Sequence, residues 1–90
     1  MPMQNLYDLY VDMMLEDYTP LEDFVERVES GEFGKFSKND RVTFLRQVES
    51  NMLANVETQI AAHPHLEERR YEVVGDIRAR IQGLIDQLKE

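Results

Sequence analysis

From Val42 onward, apolar residues return at three- and four-residue steps, first as Val42, Leu45, Val48, Met52, Val56 and Ile60. Beyond His63-Pro64-His65 they resume as Leu66, Val73, Ile77, Ile81, Leu84 and Leu88. A strand alternates with a period of two, so this spacing commits more than half of a 90-residue chain to helix. Phe44 and Leu53 broaden the first stripe, and Val74 and Ile85 lie beside the second. Proline disfavours the helical conformation of the residue before it, so the stripes read as two helices, 38–62 and 64–89, folded back as an antiparallel hairpin. The second seam approaches the 3-4 heptad spacing with which helices pack at shallow angles.

The first half predicts two shorter helices. Over 5–17, Leu6, Leu9, Tyr10, Met13 and Met14 recur at helical steps, Asn5 can cap the start, and Tyr7, Val11, Leu15 and Tyr18 widen the apolar face. Over 20–30, Thr19 is placed to accept from an orphan amide, Pro20 suits the first helical position, and Glu22 can reach back to the cap. Leu21, Phe24, Val25 and Val28 form the inner face, and Ser30-Gly31 ends the helix. Residues 32–36 read as a loop pinned by Phe33 and Phe36, and Ser37-Lys38-Asn39-Asp40 as a second capping box. The expected fold is all-α, four helices in a single domain of residues 1–90, with the two short helices packed on the long hairpin.

Length adds an expectation about assembly. A compact domain of this size has a radius of gyration of about 12 Å and a diameter of about 31 Å, whereas helices of roughly 24–26 residues are about 36–39 Å long. The last two helices overhang such a globule, and an overhanging pair with an apolar seam gains by pairing with a second copy. A homodimeric bundle through Leu66, Val73, Ile77, Ile81, Leu84 and Leu88 is expected, with a kink near Gly75 or frayed ends as the route to a monomer.

The absence of cysteine excludes disulfides, thiolate nucleophiles, iron–sulfur ligation and cysteine-type zinc sites. No apolar run approaches the roughly 18–20 residues of a membrane span, and Met1-Pro2-Met3-Gln4-Asn5 lacks the basic start and apolar core of a signal peptide. A cytoplasmic protein without a membrane partner is the expectation.

The formal net charge of −8 is unevenly placed. Residues 1–36 carry Asp8, Asp12, Glu16, Asp17, Glu22, Asp23, Glu26, Glu29 and Glu32 against Arg27 and Lys35, nine acids to two bases and a local balance of −7. Residues 37–90 are left with −1. Asp8, Asp12 and Glu16 follow at i, i+4 and i+8, which stacks carboxylates about 6 Å apart at a cost of a few tenths of a kcal/mol per pair. Glu22, Glu26 and Glu29 repeat the pattern. For any single acid the plain reading is a solvated surface that aids solubility. For a block so short of bases, the candidate function is a face that docks a basic protein patch, formed by Asp8, Asp12, Glu16, Asp17, Glu22, Asp23, Glu26 and Glu29. The carboxylate spacing also resembles that of phosphates along a nucleic-acid strand, so inhibition of a nucleic-acid-binding protein by mimicry belongs to the same reading. Direct nucleic-acid binding is not expected, because Arg69, Arg70, Arg78 and Arg80 are interleaved with Glu67, Glu68, Glu72 and Asp76, the alternation of an exposed bundle helix.

Chemical signatures are weak. His63 and His65 flank Pro64 with Glu67 and Glu68 nearby, but a built metal site needs three or four ligands fixed by outer partners, so a polar turn is expected and neither metal nor cofactor. Ser30, Ser37 and Ser50 read as turn, cap and helix surface, with no Gly-x-Ser-x-Gly elbow, and Gly31 and Gly34 form no phosphate loop. Paired carboxylates catalyse only in a desolvated concave site, which an exposed helix face is not. No enzyme is expected. Seven of the eight aromatic residues, with Met13 and Met14, fall in the first half, as a core or as an adaptable recognition surface.

Through Glu26-Arg27-Val28, Ser37, Asn39-Asp40, Phe44 and Leu53-Ala54, about a third of the chain resembles the small helical Hha/YmoA modulators of nucleoid proteins, with a gap near Gly34 and the final helix outside the likeness. That resemblance implies an acid-rich partner of a basic DNA-binding protein and transfers no residues. The leading expectation is a non-catalytic interaction module. A structural or oligomerising subunit whose acidity serves solubility is the alternative, and a metal-dependent enzyme at the His63-Pro64-His65 turn a third reading.

Overall fold

The structure, a computed structural model, describes residues 5–88. Among them the chain is all-α, with helices α1 Leu6–Asp17, α2 Leu21–Glu29, α3 Lys38–Ala62 and α4 Arg70–Asp86 and no strand. The described residues form two compact units, one holding those up to Phe44 together with Leu88, the other Leu45–Gln87.

In the first unit, local hydrogen bonds set the helix ends. Asn5 Oδ1 accepts the Tyr7 amide at 2.8 Å and caps α1. At the other end Tyr18 takes the left-handed conformation, φ 56°, with its amide donating to the Met14 carbonyl at 2.8 Å. The capping box expected at Thr19-Pro20-Leu21-Glu22 is not how α2 begins. Pro20 itself is the cap residue, extended at φ −63° and ψ 152°, and no side chain caps it. Its carbonyl accepts from the Phe24 amide at 3.0 Å, so the helix opens one residue later than expected. Thr19, buried, instead turns its hydroxyl back to donate to Asp17 Oδ1. Gly31, at φ 83°, ends the helix: its amide donates to Val28 O at 3.0 Å and that of Glu32 to Arg27 O at 3.2 Å, the paired bonds of a Schellman ending. Ser37 Oγ accepts the Asp40 amide at 3.1 Å and starts α3.

The core of this unit is aromatic. Phe24 is 0% exposed, with ring centroids of Tyr10, Phe33 and Phe44 at 5.1, 5.5 and 5.3 Å. Leu6, Leu21 and Val28 are buried as well. Phe33 pins the loop after α2 as expected, and Arg27 lies 5.2 Å from its ring centre while donating through Nε to Glu32 at 2.8 Å. Arg41 is buried, paired with Glu29 and donating through Nε to the Ser37 carbonyl at 3.3 Å.

In the second unit the helix expected over 64–89 is divided. Pro64–Arg69 is a 3-10 segment, and only Arg70–Asp86 is α-helical; the expected end at Lys89 lies outside the described residues. His63 is held off helical geometry by Pro64, at φ −134° and ψ 81°, and the Leu66 amide reaches back only three residues to the His63 carbonyl at 2.9 Å. With three residues per turn, positions i and i+3 eclipse, which sets Glu67 under Arg70 as a two-pronged ion pair at 2.9 and 2.7 Å. Six residues lie between Leu66 and Val73 in the seam, too sparse an apolar stripe to hold regular α turns in between. At 17 residues α4 is about 26 Å long, against about 38 Å for the 25 residues of α3. Of the two helices expected to overhang the globule, α3 alone is α-helical over the expected length. Arg46 donates to Gln82 at 2.8 Å and Arg70 pairs with Glu57, so residues early in this stretch of α3 meet late ones of α4, and late ones meet early. Leu45, Val48, Ile60 and Ile81 are buried.

Candidate functional site

The eight candidate carboxylates of α1 and α2 are all exposed. Their local roles differ. Glu29 is held by Arg41 and Asp17 accepts from Thr19, so both also serve the fold. Glu22 acts on Tyr10, whose phenol is pushed above its ordinary pKa first by burial and then by the charge of Glu22, with Tyr7 and Tyr18 adding to it. The last turn of α1 carries Glu16 and Asp17 and no base, the end at which a helix dipole disfavours negative charge. Glu22 and Asp23 sit in the first turn of α2, where that dipole favours them. The unit's two arginines are committed, Arg41 to Glu29, and Arg27 to Glu32, which it holds below the usual carboxylate range by hydrogen bonding, while Lys35 and Lys38 are exposed.

Leu15 and Tyr18 are the residues that sequence reasoning misplaced. Their apolar character places both on the apolar face of the first helix, whereas they are 77% and 84% exposed. Nine steps of about 100° separate Leu15 from buried Leu6, half a turn around the helix, and that signal was available in the spacing.

The expected seam is largely engaged within its own chain. Ile81 and Leu88 are buried, and Leu66, Val73, Ile77 and Leu84 are half-buried. Leu66 and Val73 join Val56 and Ile60 of α3 in lining a groove of about 290 Å³, with Arg69 and Arg70 at its edge. A second groove, about 350 Å³, has Leu53 and Ala54 of α3 facing Tyr71, Val74 and Arg78 of α4, with Arg70 and Glu57 also along it. Arg70 is bound by Glu67 and Glu57; its hydrogen bonds to Glu67 raise its own pKa further and hold the Glu67 carboxyl below the usual range. Arg69 pairs with Glu72 at 3.7 Å. Sign alternation on this helix is thus local pairing at these two arginines.

At the turn the His63 and His65 rings meet edge to face, 5.9 Å between centroids. Among the described residues no three histidine or carboxylate side chains gather as a metal-ligand set, and no helix is long and apolar enough to cross a membrane. No protein-family model, curated protein or solved structure matches the chain.

Proposed function

We propose that the chain is a non-catalytic interaction module whose acidic α1–α2 face docks a basic patch on a protein, including the patch with which such a protein holds nucleic acid. The observation that carries this is the exposure of Asp8, Asp12, Glu16, Asp17, Glu22, Asp23, Glu26 and Glu29 in a unit whose Arg27 and Arg41 are turned onto Glu32 and Glu29. The position of Glu16 supports it further, because an acid in the last turn of α1, where no base accompanies it, opposes the helix dipole. The α3–α4 stretch acts in this reading as an antiparallel scaffold. A dimer through the seam has less to rest on, since α4 is short and Leu66 and Val73 face α3 of the same chain.

The test is capture by the wild-type chain beside an Asp8→Lys/Asp12→Lys/Glu16→Lys variant. A basic protein held at low salt, released at high salt and lost on charge reversal is the expected result; undiminished binding to the reversed variant removes the reading. Competition by duplex DNA for the captured protein identifies the mimicry form of it.

A further inference from the structure

Among the described residues three large apolar side chains stand out into solvent: Leu15, Tyr18 and Tyr71, the last 90% exposed. Their surroundings differ in charge: acidic without a base at the end of α1, and mixed around Tyr71. Leu15 and Tyr18 lie about one turn apart at the end of α1, among Asp12, Glu16 and Asp17 and without a base in that turn. Tyr71 stands on α4 in line with Val74 and Arg78, and these three form one wall of the 350 Å³ groove whose other wall is Leu53 and Ala54. Arg70 in that groove is neutralised by Glu57 and Glu67, whereas Arg78 makes no ion pair among the described residues. An apolar cleft with an exposed aromatic ring and an uncompensated cation selects a ligand that is apolar and acidic.

We propose that this groove receives the Leu15–Tyr18 end of α1 from a second copy of the chain. Leu15 matches the apolar surface of Leu53, Ala54 and Val74, the Tyr18 ring meets that of Tyr71, and a carboxylate of Glu16 or Asp17 neutralises Arg78. Tyr18, left-handed at the end of α1, is 84% exposed, so its ring is open to such a contact. The proposal rests on the reading of the acidic α1 face as a docking surface and names a second copy as one partner of it. It differs from the seam dimer in using the solvent side of α4 and an end of α1.

Two variants, each blind on one side, test it. Leu15→Ser/Tyr18→Asn removes the apolar anchor and keeps every carboxylate; Tyr71→Ser/Arg78→Glu spoils the groove. All four side chains are exposed, so both variants keep the fold, as circular dichroism verifies. By light scattering, the wild-type mass is expected to rise above one chain as protein approaches about 100 µM, where a micromolar contact is nearly saturated. Each variant alone stays at one chain, and an equimolar mixture of the two returns to two chains, because each retains the half the other lacks. A wild-type chain that is monomeric throughout overturns the proposal, as does self-association that either variant leaves unchanged, or a mixture that stays at one chain. The Tyr71→Ser/Arg78→Glu variant also separates the two readings: its α1–α2 face is intact, so capture of a basic protein by it upholds the proposed function even where self-association fails.

Discussion

Tyr18 is the residue whose backbone most needs an explanation. A left-handed conformation costs an L-residue with a Cβ about 1–2 kcal/mol, and helices that end this way usually do so on glycine or asparagine. Here a tyrosine at φ 56° occupies that place with its ring in solvent. Tyr18→Asn is expected to raise stability by about 0.5–1 kcal/mol, read as a higher urea midpoint at unchanged slope, while abolishing the self-association proposed for this side chain. Gain of stability with loss of binding is the pattern of a residue kept for contact. Phe24 stands at the other extreme. It is fully buried against three aromatic rings, so Phe24→Ala is expected to cost about 3–5 kcal/mol in the same titration, enough to unfold much of a small domain. The Phe24 result was legible from sequence, since Leu21, Phe24 and Val28 share one helical face. Tyr18 was not, because apolar character alone does not say on which side of a helix end a ring emerges.

At the level of elements, the helices were readable wherever a cap or a dense stripe marked them, and misread where neither did. Asn5, Ser37 and Gly31 do as side-chain and backbone chemistry requires, and α3 occupies the stretch its periodicity assigned. Thr19-Pro20 misled because Pro20, a residue that favours the first helical position, here stands one place earlier, as the cap whose carbonyl opens α2. Residues 64–69 misled because Leu66 alone represents the apolar stripe there, and the eclipsed Glu67–Arg70 pair favours the tighter winding. The same reasoning gives a prediction for α1. Glu16 repels Asp12 one turn back and opposes the helix dipole, so Glu16→Lys is expected to stabilise the chain by about 0.5–1 kcal/mol while weakening capture of a basic partner. Thermal unfolding and the capture assay on the same protein check both signs; a destabilised Glu16→Lys chain contradicts the argument that this acid serves no local purpose.

For the whole molecule, the charge that looked like a bulk property is local in both its excess and its pairing, and its pH dependence can be assigned to particular groups. Glu32 in one unit and Glu67 in the other are held below the usual carboxylate range, chiefly by hydrogen bonds from Arg27 and Arg70. Unfolded, such carboxyls titrate at about 4.3, so as pH falls the unfolded chain takes up these protons first. Their contribution is complete above that value and is lost as pH descends through the lower, folded values. Tyr10 sets the opposite edge. Burial and the nearby charge of Glu22 raise its pKa, so above about pH 10 the unfolded phenol ionises before the folded one, and stability falls as pH rises through that range. The urea midpoint is therefore expected to hold a plateau between these edges and to fall on both sides. Tyr10→Phe, which keeps the ring packed against Phe24 and Phe44, is expected to flatten the alkaline fall and leave the acid one in place. Glu32→Gln and Glu67→Gln do the reverse, each shallowing the acid edge alone. An alkaline fall that persists undiminished in Tyr10→Phe assigns that edge to other groups and contradicts the packing argument made for this tyrosine.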